Sequence, residues 1–204
     1  MARAALCRTP DMRFAWLLLC AALAVAGCSP SPTGFKSTDI TGAEYGRNLA
    51  LNDHAGTPRT LADYKGKAVL VFFGYTQCPD VCPTTLAEMK AVLARLGDDA
   101  KRVQVLFVTV DPERDTREVL AAYVPAFDPS FVGLYGDGEA TARVARDFKV
   151  YYQKVAGTQP GTYTMDHSAG TYVFDPQGRL RLYARYGANP DDLASDLKQL
   201  LAGR

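Results

Sequence analysis

Cys78-Pro79-Asp80-Val81-Cys82-Pro83 is the part of this sequence with the clearest capacity for chemistry. Two thiols separated by three residues can close a disulfide, exchange one with a client protein, or splay around a soft metal ion that prefers thiolate. Pro83 suits the first turn of a helix, where a missing N–H costs nothing, whereas a helix already begun at Pro79 would be damaged. The spacing therefore predicts a helix starting near Pro83. Cys78 to Cys82 then form a tight loop with both sulfurs at the helix N-terminus, where backbone N–H groups favour thiolate and both thiols are activated. A structural zinc site would need a fourth ligand, and no second cysteine pair is available to supply it. Two thiolates and one imidazole suit Cu(I).

The chain has 2 histidines to offer that imidazole. His54 sits in Asn52-Asp53-His54-Ala55-Gly56, a turn-like stretch, and reads as a solvated loop residue. His167, in Met165-Asp166-His167-Ser168, stands in the approach to a strand beginning near Thr171 and is the candidate third ligand. Met165 is a soft donor nearby, but a single methionine beside a strand reads as packing.

The remaining cysteines belong to the beginning of the chain. Arg3, Arg8 and Arg13 precede an apolar run from Phe14 to Ala26 that ends in Val25-Ala26-Gly27-Cys28, with Leu23 just upstream. This is the layout of a secretory signal, and its ending is similar to a bacterial lipobox, in which Cys28 becomes the acylated first residue. The expected organisation is a lipoprotein signal peptide over residues 1–27, a lipid-anchored tether over 28–48, rich in Ser, Pro, Thr and Gly at its start, and one domain over 49–204. Cys7 and Cys20 leave with the signal, so Cys78 and Cys82 are the thiols that reach an oxidising, periplasm-facing compartment.

With 204 residues, 48% of them hydrophobic and 22% charged, the chain can bury one ordinary core. A formal net charge of +1 supplies no field for gathering phosphates, which argues against a nucleic-acid partner.

The elements that must position the cysteines and the histidine follow from patterning. Leu49 and Leu51, then Gly56-Thr57-Pro58 and Leu61, read as a small hairpin. Val69 to Tyr75 is a continuous apolar run, as in a strand buried on both faces, and Val103 to Val110 reads as a second buried strand ended by Asp111-Pro112. Between them, Leu86, Met89, Val92, Leu93 and Leu96 follow helical spacing, with Gly97 as the stop. A helix over Thr116 to Tyr123 is expected to stop before Pro125. A strand from Phe131 to Tyr135 precedes a helix from Gly138 to Phe148 with Asp137 as its cap. Thr171 to Asp175 and Leu180 to Tyr186 flank Pro176-Gln177-Gly178 as a hairpin, and Asn189-Pro190 opens a closing helix that turns Leu193, Leu197, Leu200 and Leu201 inward. This order resembles an α/β thioredoxin-like fold, a mixed central sheet flanked by helices.

Three stretches in chain order carry a more specific resemblance. Phe72-Phe73-Gly74-Tyr75-Thr76-Gln77-Cys78-Pro79-Asp80-Val81-Cys82-Pro83, Val110-Asp111-Pro112-Glu113-Arg114-Asp115-Thr116, and Asp166-His167-Ser168 followed by Tyr172 and Asp175 resemble the Sco/SenC family, copper chaperones of cytochrome c oxidase assembly. The resemblance implies copper bound by Cys78, Cys82 and His167 as Cu(I), with Cu(II) left open, and delivery to the CuA site of an oxidase subunit or to another copper protein. It also implies a Cys78–Cys82 disulfide that gates binding. Asp80 and Asp111 lie in the same motifs with helix capping and loop geometry as their expected roles. Where many family members carry a transmembrane helix, this chain offers the lipobox, so the anchor is expected to be a lipid. The competing reading is a thiol-disulfide oxidoreductase, or a redox sensor, in which Cys78 and Cys82 act alone. A peroxiredoxin-type peroxidase is disfavoured because Thr76 stands two residues before Cys78 instead of three.

Overall fold

The computed structural model describes residues 34–204, and Phe35–Arg204 form a compact unit. The signal segment and Cys28 lie outside the described residues. An eight-stranded sheet runs β1 (Thr38–Asp39), β10 (Leu180–Ala184), β9 (Thr171–Phe174), β4 (Ala68–Gly74), β5 (Val103–Thr109), β6 (Val132–Tyr135), β2 (Ala50–Asp53), β3 (Pro58–Thr60). β4, β5 and β6 are parallel, and β9 joins β4 antiparallel with Val71 opposite Tyr172. Every residue of β4 and of β5 is buried, which is why β4 appears in the sequence as an unbroken apolar run and β5 as one broken only by the buried Gln104 and Thr109.

Four α-helices complete the described domain: α1 (Val81–Leu96), α2 (Arg117–Phe127), α3 (Gly138–Asp147) and α4 (Pro190–Leu201). Capping side chains fix three of the starts. Thr116 accepts from the Val119 amide, Asp137 from the Ala140 amide and Asn189 from the Asp191 amide. The expected inward face of α4 is buried at Leu193, Leu197, Leu200 and Leu201. Among the described residues no helix is long and apolar enough to cross a membrane.

Four local expectations are corrected. α1 begins at Val81, so Cys82 lies inside the first helical turn and Pro83 follows it there. Pro tolerates this position because first-turn amides have no intrahelical acceptor. α2 runs through Pro125 to Phe127; the proline falls in the last turn, where only the Ala121 carbonyl loses its donor. The domain also starts earlier than Leu49, since Thr38–Asp39 pair with β10 at the sheet edge. Just ahead of β1, the Lys36 and Ser37 amides donate to the buried Asp196 carboxylate of α4 at 2.8 and 2.7 Å. Finally, β7 (Tyr152–Ala156) and β8 (Tyr163–His167) form a separate two-stranded sheet that the patterning did not suggest.

Candidate metal centre

Two independent pieces of backbone converge on the site. The chain leaves β4 at Gly74, passes Tyr75 and Cys78, and enters α1 with Cys82 in its first turn. Gly74 is required by the sulfur below it: a Cβ there would stand 2.8 Å from Cys82 Sγ and 2.9 Å from the Phe107 ring. The Cys82 amide at the helix start donates to Cys78 Sγ at 3.4 Å. Both cysteines are thiols. They differ sharply in environment, Cys78 being half-buried and Cys82 0% exposed.

That difference revises the expectation that both thiols are activated. Burial pushes the Cys82 thiol far above its ordinary value, against a smaller opposing hydrogen bond from the Tyr75 backbone. Without a metal, Cys82 is a protonated thiol; a bound cation would have to displace its proton.

His167 is the last residue of β8, instead of part of a loop before β9, and arrives from the opposite side. Its Nε2 lies 3.5 Å from Cys82 Sγ. Its Nδ1 is 3.0 Å from the Ser168 carbonyl, which can only accept, so Nδ1 carries the hydrogen and the Nε2 lone pair faces the sulfurs. Burial lowers the pKa of His167 despite that carbonyl and the nearby Asp166 charge, which keeps the ring neutral and able to donate electrons. Phe72 and Tyr75 hold the imidazole edge-on, at centroid distances of 6.1 and 5.9 Å.

The candidate ligand atoms of Cys78, Cys82 and His167 all lie within 4.8 Å of one another. The group opens onto a cleft of about 580 Å³ lined by Tyr75, Cys78, Pro79, Tyr151, Met165 and His167. Two soft sulfurs and one neutral imidazole, half sheltered from water, form a donor set suited to a soft monovalent cation and too small for a closed tetrahedral zinc site.

The other candidates fall elsewhere. His54 is half-buried and structural instead of solvated: its N–H donates to the Gly133 carbonyl at 2.9 Å and its Nδ1 accepts the Gly133 N–H at 3.0 Å. Met165 packs in the core. Asp80 occupies the N-cap position of α1 without a capping bond; its carboxylate accepts from the Thr84 hydroxyl at 3.4 Å. Asp111 is buried and accepts from Arg114 and from the Tyr163 hydroxyl. Sequence reasoning overlooked Gly74, Ser168 as the acceptor that orients the imidazole, and Arg114. Each stands inside a quoted motif, but its role depends on contacts with distant segments.

The sheet order, the helix rising from the end of β4 and the dithiol at its start define a thioredoxin-like domain with a thiolate–imidazole site. The chain belongs to the SCO1/SenC family, whose model matches residues 37–202. Relatives include the mitochondrial protein SCO2 homolog of Mus musculus, 36% identical over 157 residues that make up 76% of this chain and 62% of that protein. The SCO2-like protein of Rickettsia felis is 34% identical, with 76% of each chain covered. The chain thus spans about 60% of the length of mouse SCO2 homolog and a larger share of the bacterial one. Among solved structures, copper-bound ScoI of Bradyrhizobium japonicum superposes with a TM-score of 0.69 at 43% identity, covering 74% of this chain and 96% of that one. Apo Sco1 of Thermus thermophilus superposes with a TM-score of 0.74 at 42% identity, covering 83% and 99%.

Proposed function

We propose that this protein is a copper chaperone that holds Cu(I) on Cys78, Cys82 and His167 and delivers it to the CuA site of a cytochrome c oxidase subunit. The observation that carries the reading is the convergence of these three ligand atoms within 4.8 Å from segments far apart in sequence. Membership of the SCO1/SenC family and the likeness to a copper-bound ScoI support copper over other soft cations. Copper here is cargo: loading displaces the thiol protons, and release returns the cysteines to thiols or leaves them to oxidise. Oxidation to a Cys78–Cys82 disulfide removes two electrons and two protons and consumes both sulfur ligands, so it switches binding off. Val25-Ala26-Gly27-Cys28 supports an exported chain held to a membrane through lipid on Cys28 and facing the periplasm.

The test is Cu(I) titration of the full chain, reduced and oxidised, against a competing chelator. Reduced protein binds about one copper, the capacity of a single dithiol site; oxidised protein binds little. Tight binding that survives verified disulfide formation would place the metal elsewhere. A second reading, thiol-disulfide exchange on a client's cysteines, draws support from the half-buried Cys78 at the mouth of the cleft, with Cys82 placed behind it to resolve a mixed disulfide. His167→Ala separates the two, because dithiol exchange survives it while copper affinity falls sharply.

A further inference from the structure

The hairpin that carries His167 shares no backbone ladder with the main sheet. Short connections join it to the helix before it and to β9 after it, Met165 packs into the core, and further side-chain ties meet at Arg114. Arg114 Nη1 donates to Gln77 Oε1 at 3.1 Å and to the Tyr163 carbonyl at 3.0 Å, while Nε donates to the Asp111 carboxylate. Asp111 accepts in turn from the Tyr163 hydroxyl at 2.9 Å. The guanidinium lies 3.5 Å from the Tyr163 ring centroid and 5.7 Å from that of Tyr75. A second, outer link joins Lys154 of β7 to Glu113 at 2.7 Å.

Gln77 directly precedes Cys78, and Tyr163 and His167 are the two ends of β8. One guanidinium nitrogen thus ties the cysteine loop to the histidine strand. Tyr163, Met165 and His167 alternate onto one face of β8, so fixing Tyr163 fixes the direction in which His167 points. The side chain of Arg114 is 19% exposed, and Nη2 is buried without a hydrogen-bond partner. The orphaned donor is a cost set against the charge-assisted bonds that the rest of the guanidinium makes to the buried Asp111 carboxylate and to the Tyr163 carbonyl.

We propose that Arg114 is a positioning residue for metal capture: by clamping Tyr163 to the cysteine loop it keeps His167 within reach of the two sulfurs. The clamp bonds to neither sulfur: it grips the cysteine loop through Gln77, and its effect on copper is exerted through the reach of the imidazole. This rests on the copper reading above, and the experiment distinguishes the failure of each.

The test uses the full chain with Arg114→Gln, Arg114→Lys, His167→Ala and the double variant Arg114→Gln/His167→Ala. Cu(I) affinity by chelator competition should fall about 10-fold or more in Arg114→Gln, the range typical when a residue that orients a ligand is lost. Arg114→Lys should recover little, because one ammonium cannot reproduce the planar fork. In the His167→Ala background, Arg114→Gln should change affinity by less than about twofold, since a residue that acts through the imidazole has nothing left to position. The Cys78–Cys82 reduction potential, measured without copper, should be the same in wild type and Arg114→Gln. Hydrogen exchange of the copper-free protein should speed up at β7 and β8 and stay unchanged at β4 and β5. Wild-type affinity in Arg114→Gln, or an undiminished loss in the His167→Ala background, would overturn the proposal. If Arg114→Gln does not fold, Tyr163→Phe and Gln77→Ala each remove one arm of the clamp and should weaken copper binding a few-fold; no change in either would overturn it. If wild type itself binds no copper the copper reading fails, while the exchange pattern still decides whether Arg114 holds the hairpin.

Discussion

Cys82 and His167 face each other across 3.5 Å, yet what stands behind them is very different. Cys82 lies at the junction of a fully buried strand and a helix, its sulfur close under Gly74, with the core as its support. His167 ends a two-stranded ribbon whose β7 is exposed over Gln153 to Ala156 and whose ties to the domain include side-chain bonds from Arg114, Glu113 and Asp111. The sulfur side is built for permanence and the imidazole side for adjustment. Under the proposed chaperone role, a site that first holds an ion and then gives it up gains from one ligand that can leave without disturbing the core.

The sharpest way to break this comparison is to remove a ligand from each side. Cys82→Ser should abolish measurable Cu(I) binding, because it deletes a thiolate and leaves an alcohol the soft ion does not favour. His167→Ala should weaken Cu(I) by at least the roughly 10–100-fold seen even when a ligand's supporting contact is lost, with the copper-free fold intact by near-UV circular dichroism. Equal losses from both variants would erase the asymmetry. Gly74→Ala tests the rigid side directly. The added methyl meets Cys82 Sγ and Phe107 at under 3 Å, so denaturant unfolding should show a loss of about 1–3 kcal/mol. The equivalent probe on the hairpin, Tyr163→Phe, removes the hydroxyl bond to Asp111 and should cost only about 0.5–1.5 kcal/mol.

Acid offers a milder probe of the sheet. Burial opposes ionisation of Asp175, but bonds from the Arg179 backbone and side chain and from Arg181 outweigh it and hold the carboxyl below its usual value. A depressed folded-state pKa adds stability that is present above the unfolded value of about 4 and is lost as the pH falls through the folded one. The denaturation midpoint of wild type should therefore fall toward that of Asp175→Asn as the pH drops below about 4. A gap between them that stays constant from pH 7 to pH 3 would show that the carboxylate's charge contributes nothing.

How much of this was legible in the sequence follows the same division. β4, β5 and the buried face of α4 leave periodic apolar signatures because their environments are uniform along the chain. Asn189-Pro190 and Asp137 mark helix starts through local capping chemistry. The ribbon left no such mark. Tyr152-Gln153-Lys154-Val155-Ala156 is largely exposed, and what orders it is pairing with residues 163–167 together with the Arg114 clamp. β1 was hidden for the same reason, since two amides reaching Asp196 across about 160 residues have no local pattern. The three residues that cluster were visible in the sequence because cysteine and histidine announce their chemistry by type. The unequal character of the two thiols was not, because it arises from the burial of Cys82 inside the first turn of α1.

The sequence separation of 85 between Cys82 and His167 also sets an order of events during synthesis. Both sulfurs emerge early, with β4 and the start of α1. The imidazole can join them only after β5, β6, α2 and α3 have been laid down and the ribbon has been clamped in place. Contacts separated this widely in sequence form late, because the loop between them must be closed first. A chain halted at Lys149 carries Cys78 and Cys82 but lacks His167. On the copper reading proposed above, full-strength metal capture would in this way be a signal of completion, available to a chain that has finished folding and withheld from one that has not.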